Sequence, residues 1–162
     1  MPLYDANFPW LPTNTEKSAY FPQPTPNDAV LDAPRTILWK KLSQEPFSSK
    51  EGICLADYQA IQFSLALPKA IAMRLLTLTL EGVNAASVPV SESFNVALLQ
   101  DADQHSYSYD THLLNLGYDS KIYKVRFSSP WGAGSPPEQD VQLDIHDLRF
   151  VHKPRKSICV SS

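Results

Sequence analysis

The sequence predicts an all-β protein, an antiparallel β-sandwich of jelly-roll or Greek-key type behind an extended, proline-rich N-terminal arm. Three observations carry this expectation. From residue 35 onward, apolar residues recur at every second position in short runs, the period of a half-buried strand. Polar or proline-containing stretches separate these runs, and no long helical periodicity interrupts them. Residues 1–34 differ in kind: they hold seven of the 14 prolines and show neither period. Runs with one apolar and one polar face suit two stacked antiparallel sheets; a closed barrel is the architectural competitor.

The elements follow in order. Thr36–Leu42 is a short strand candidate with Ile37 and Trp39 on one side. Tyr58–Leu67 places Ile61, Phe63, Leu65 and Leu67 on one face and Gln62, Ser64 and Ala66 on the other, and Pro68 ends it. Arg74–Leu80 repeats the pattern with Leu76, Leu78 and Leu80 inward and Thr77 and Thr79 outward, near enough to pair with the preceding strand as a hairpin. Ser93–Gln100 places Phe94, Val96 and Leu98 on one face, and Lys121–Phe127 places Tyr123, Val125 and Phe127 inward. In Val141–Ile145 the odd positions are apolar, whereas Leu148 and Phe150 follow at even ones. A slip of phase around His146–Asp147 is the mark of a β-bulge. The chain thus divides into an arm (1–34), a β-sandwich domain (35–153) and a C-terminal tail (154–162).

A net charge of −3, from 14 basic and 17 acidic residues, gives no electrostatic footprint for nucleic acid or an anionic membrane. The basic cluster Lys153, Arg155 and Lys156 reads as a solvated tail. The most apolar stretch, Ile61–Leu80, is broken by Pro68, Lys69 and Arg74, which excludes a helical membrane span. No basic start followed by an apolar run opens the chain, so no secretory signal is expected. The expected location is a virion or the cytoplasm. Cys54 and Cys159 have no metal-type spacing, and two free thiols are the default expectation, with one disulfide as the alternative.

The arm carries Tyr4, Phe8, Trp10, Leu11, Tyr20 and Phe21, whereas a disordered tail is poor in aromatics. Proline presets an extended backbone, and the aromatics add large apolar anchors at intervals. Each anchor is worth roughly 1.5–3 kcal/mol when buried, against about 1–2 kcal/mol per residue for ordering the backbone. Anchors alone do not order the arm, so backbone pairing with a sheet edge or groove is also required. The alternative is that the arm packs back on its own body.

Chemistry-bearing clusters are few. Asp101, Asp103 and His105, with Asp110 and His112 downstream, form the best metal candidate, although the loop lacks the glycine and terminal glutamate of a calcium-binding EF-hand. Asp140, Asp144, His146, Asp147 and His152 form a second cluster, read as an ordinary polar strand face. Gly132–Ser135 lacks the spacing of a catalytic serine loop and reads as a turn. No P-loop, dinucleotide fingerprint or C-x-x-C is present, and no cofactor is expected. Tyr107, Tyr109, Tyr118 and Trp131 fall in loops between the expected strands, and exposed aromatics there suit glycan stacking or protein contacts.

These features favour a non-enzymatic structural or assembly protein, a homo-oligomer whose arm docks on neighbouring subunits of a larger assembly. Small β-sandwiches with extended arms are similar in plan to virion components such as bacteriophage capsid decoration and tail or baseplate proteins. The alternative is a carbohydrate-binding jelly-roll module for receptor recognition, with a metal-holding jelly-roll enzyme third.

Overall fold

The computed structural model describes residues 13–16, 18, 21–31, 35–66, 75–99, 103–128 and 142–153. Among them are ten strands: β1 (Thr13–Thr15), β2 (Ala29–Val30), β3 (Arg35–Leu38), β4 (Phe47–Cys54), β5 (Tyr58–Ala66), β6 (Leu75–Val83), β7 (Pro89–Ala97), β8 (Gln104–Asp110), β9 (Lys121–Ser128) and β10 (Gln142–His152). All pairings are antiparallel. The first sheet runs β1-β8-β5-β10-β2, with β3 also on β10, and the second runs β4-β9-β6-β7.

The registers of the eight longer strands nest. The innermost pair is the β6–β7 hairpin, from Leu75↔Ala97 to Val83↔Pro89. Around it, β5 pairs β8 (Ala60↔Asp110 to Ala66↔Gln104), β4 pairs β9 (Phe47↔Val125 to Cys54↔Lys121), and β3 pairs β10 (Ile37↔Leu143). The chain is therefore a long two-stranded ribbon. It rolls on itself because β10 also pairs β5 and β9 also pairs β6. This rolling separates β5 and β6 into different sheets, so the hairpin expected between them does not form. Their partners lie further along the chain and cover their full length.

The apolar faces meet between the sheets. Phe63 of β5 packs edge-on against Phe127 of β9, with centroids 5.6 Å or less from both Phe127 and Tyr107. Phe94 of β7 stacks on Tyr109 of β8 at 4.0 Å. Leu76, Leu78 and Leu80 are fully buried, as their alternation with Thr77 and Thr79 predicts. The phase slip in β10 is present: the register against β5 shifts between His146 and Arg149, and Asp147 takes a left-handed φ of 55°. Leu143 and Ile145 before the bulge and Leu148 and Phe150 after it are all buried.

Strand β9 keeps the expected phase at Val125 and Phe127, both buried, and departs from it at Tyr123. Ile122 is buried and Tyr123 is only half-buried, because a bulge falls where Glu81↔Lys124 gives way to Gly82↔Ile122. Tyr123 is the extra residue and turns outward. Two glycines accept this. Gly52 sits at φ 81° under the Tyr123 ring. A Cβ on Gly82 would stand 1.8 Å from the backbone oxygen of Lys121. Replacing Gly82 with Ala is expected to cost about 2–4 kcal/mol, since the obstruction is backbone; urea denaturation of the variant measures it.

Candidate functional site

Strand β8 is the largest correction to the sequence reading. Tyr107 and Tyr109, expected in an exposed loop, are 0% and 9% exposed. Their alternation with Ser106 and Ser108 is that of a strand held on both sides, which turns the aromatic rings into the core. The Tyr107 hydroxyl is satisfied there by the Leu99 N–H at 3.0 Å. His105 shares that face and is 5% exposed. It lies 3.6 Å, through Nδ1, from Glu16 Oε2.

The metal reading gains no support from this geometry. No group of three or more His, Cys, Asp and Glu side chains suited to a metal forms among the described residues. Asp103 and His105 belong to no such group, and Asp101 lies outside the described residues. In the second cluster, Asp144 accepts a hydrogen bond from the Thr36 hydroxyl, and Asp140 is outside the described residues, as are Trp131 and Gly132–Ser135. Tyr118 is exposed, with Lys153 Nζ 5.8 Å from its ring. Cys54 is disulfide-bonded, which overturns the default of two free thiols; Cys159 lies outside the described residues.

The described N-terminal residues are held on the body of their own chain. Tyr4, Phe8, Trp10, Leu11 and Tyr20 are outside the described residues, and Phe21 is half-buried. The described residues among 13–31 lie against the first sheet of their own chain at β1, Glu16, Pro22 and β2. Strand β1 lengthens that sheet beyond β8, with Thr13↔Tyr109 and Thr15↔Tyr107 in register. Glu16 then exchanges bonds with Ser106: its N–H donates to the Ser106 carbonyl, and its Oε1 accepts from the Ser106 N–H, both at 3.2 Å. Further on, the Pro22 carbonyl accepts from Gln62 Nε2 over the outer face of β5. Finally β2 pairs with Arg149 and Phe150 of β10. The segment crosses the sheet from one edge to the other as a strap.

The outer face beneath it is made for covering. Ala60, Gln62, Ser64, Ser108 and Val151 are each buried. None carries a charge, and the serine and glutamine groups bond one another, Ser64 to Ser106 at 2.6 Å and Gln62 to Ser108 at 3.5 Å. Burying small, mutually bonded polar groups costs little, whereas lysines or glutamates there would forbid it.

Asp28 fastens the far end of the strap. Its side chain is 1% exposed. It accepts from Thr25 N (2.9 Å), Thr25 Oγ1 (2.7 Å), His152 N (2.7 Å) and Arg149 Nη1 (3.3 Å). Burial alone would raise the carboxyl, but these hydrogen bonds outweigh it and hold it below its ordinary value of 3.8. A carboxyl depressed in the folded state stabilises above its ordinary value and loses that contribution as pH falls through the lowered one. Asp28→Ala is expected to cost about 3 kcal/mol and to free the strap. Hydrogen exchange at the Leu31 and His152 amides reports this, and wild-type protein acidified below pH 3.8 moves the same way.

A groove of about 530 Å³ opens on the outer face of the second sheet, between Val83, Pro89 and Val90 and the outward Tyr123 and Lys124. Glu81 at its rim is bound by Arg126 Nε at 2.8 Å, a hydrogen bond that lowers the Glu81 carboxyl and raises the guanidinium. Its lining combines the Tyr123 ring, the Lys124 ammonium and the Glu81 carboxylate with apolar Val83, Pro89 and Val90. Comparison with family models, curated proteins and solved structures finds no match to this chain.

Proposed function

We propose that this chain is a non-enzymatic structural subunit, a jelly roll that joins a larger assembly through the residues preceding its strap, in the manner of a virion shell or tail component. The nested pairing of eight strands, rolled into two sheets, supports the jelly-roll reading, a plan shared by capsid subunits and lectins. The observation that carries the functional reading is the strap itself. It fixes Thr13 at the open edge of the first sheet, so Tyr4, Phe8, Trp10 and Leu11 start from an anchored point. Twelve extended residues reach roughly 35 Å, against a radius of gyration of about 15 Å for a globule of this length. That reach suffices to cross onto a neighbouring subunit.

The anchoring also sets how the proposal is tested. Removing residues 1–11 leaves the strap in place, whereas a longer deletion uncovers Gln62, Ser64 and Ser108. The shortened protein is expected to keep its melting temperature within a few degrees and to lose assembly, read as solution mass by light scattering with and without partner subunits. Unchanged assembly after that deletion refutes the arm's role. The carbohydrate-binding alternative retains Tyr118 and has Trp131 outside the described residues, but Tyr107 and Tyr109 are removed from it by burial. Under that alternative, glycan-array binding survives the deletion and falls with Tyr118→Ala or Trp131→Ala.

A further inference from the structure

The outer faces of the two sheets differ in what they carry. The first bears the strap. The second bears the groove of about 530 Å³, and register arranges the side chains of that groove in rows. Lys124 of β9, Glu81 of β6 and Ser91 of β7 are cross-strand partners, and Val83 and Pro89 form the next pair toward the hairpin turn. Tyr123, the extra residue of the β9 bulge, stands beside them. Its ring is supported from one side, because the phenol end rests on Gly52, where a Cβ would stand 2.8 Å from it.

Strands β9 and β6 are interior to the sheet order β4-β9-β6-β7, so their backbone groups are engaged by neighbouring strands. An extended peptide, which binds by adding a strand to an edge, finds no backbone partner on them. Recognition in the groove therefore falls to side chains. Arg126 Nε holds Glu81 Oε2 at 2.8 Å, and its Nη1 donates to the Ser43 carbonyl at 2.6 Å. Arg126, Glu81 and the exposed Lys124 together carry one net positive charge. Glu81 Oε1, 3.4 Å from Arg126 Nη2, keeps lone pairs for a ligand hydroxyl. A single positive charge matches a single carboxylate, whereas a polyphosphate or a nucleic acid calls for several cations. The half-buried Tyr123 ring adds a flat apolar face for sugar C–H groups. The volume is that of a small-molecule site.

We propose that this groove binds an acidic sugar, a carboxylate-bearing residue of a glycan, with Tyr123 stacked on the sugar ring and Lys124 on its carboxylate. Glu81 and Ser91 take sugar hydroxyls, and Val83 and Pro89 close the apolar end. The site shares no residue with the arm, nor with Tyr118 and Trp131. It can therefore fail while assembly through residues 1–11 stands, and the reverse.

The full-length chain is titrated with a hyaluronan tetrasaccharide and with sialyllactose, and amide chemical shifts are followed. The carboxyl-reduced tetrasaccharide, lactose and a glutamate-rich peptide serve as comparisons. The expected result is saturable shifts at Gly82, Ser91, Tyr123 and Lys124 with at least one acidic glycan. Its neutral counterpart binds about tenfold more weakly, the worth of one charge-assisted hydrogen bond. Lys124→Gln brings the acidic glycan down to the affinity of the neutral one, and Lys124→Arg retains it. Tyr123→Leu weakens both alike, and Tyr118→Ala changes neither. Unaltered shifts away from the groove show that the exposed Lys124 variants are folded. The absence of saturable shifts at these residues with either acidic glycan overturns the proposal. So does equal binding of acidic and neutral glycans, or an affinity indifferent to Lys124→Gln. Shifts at the groove with the peptide alone also overturn it, by assigning the groove to a protein partner.

Discussion

The constraint on which this fold depends is the nesting of its antiparallel pairs. Once Leu75–Val83 and Pro89–Ala97 form a hairpin, each outward step along one arm of the ribbon must be matched on the other. Bulges are where that matching is adjusted. The extra residue at Tyr123 and the left-handed Asp147 each let one strand serve two partners at different phases. The interior follows: Phe63, Tyr107 and Phe127 meet because their strands are fixed in register and then rolled, not because they are near in sequence.

The strap is a second layer of order built on that frame. Leu31 at its end belongs to the hydrophobic core and Ala29 packs against it; the rest of its attachment is polar: a short ladder at β1, a glutamate across Ser106 and a buried carboxylate at Asp28. Such contacts are specific in geometry and lapse together if one end is released, which distinguishes the strap from the sandwich beneath it. The sandwich holds by burial, the strap largely by hydrogen bonds to an outer face whose centre is uncharged and whose Arg149 meets Asp28.

Much of the fold was legible in the sequence, because period-two alternation reports burial directly. The inward faces of β5, β6, β7 and β10 and the bulge after His146 were all readable from apolar positions. Strands β4 and β8 were not. Phe47–Cys54 has its alternation interrupted at Ser49–Gly52, where the strand itself is irregular. Gln104–Asp110 alternates His and Tyr with Ser, and polar-tipped aromatics read as surface until the hydroxyl of Tyr107 is seen to meet the Leu99 N–H. The strap left a signal that was overlooked. On the outer faces of β5 and β8, Gln62, Ser64, Ser106 and Ser108 form a run without charge ahead of Asp110, and a face destined for water seldom lacks charge over such a run. Thr13–Thr15 is likewise a proline-free, β-branched run inside a proline-rich segment. Partner pairing was beyond reach, since the alternation of β5 and β6 is the same whether they form a hairpin or part into separate sheets.

Nesting also orders events at the ribosome. A ribbon that closes from its middle outward cannot complete any but its innermost pair until the second half has been made. At about 5–20 residues per second, Tyr58–Ala66 waits roughly 2–9 s for its partner strand to be made as far as Asp110, and Phe47–Cys54 roughly 4–15 s for its own as far as Ser128. During that interval Phe47, Ile61, Phe63 and Leu65 have no sheet to pack against. The apolar strands of the first half therefore stand exposed until their partners in the second half have been made.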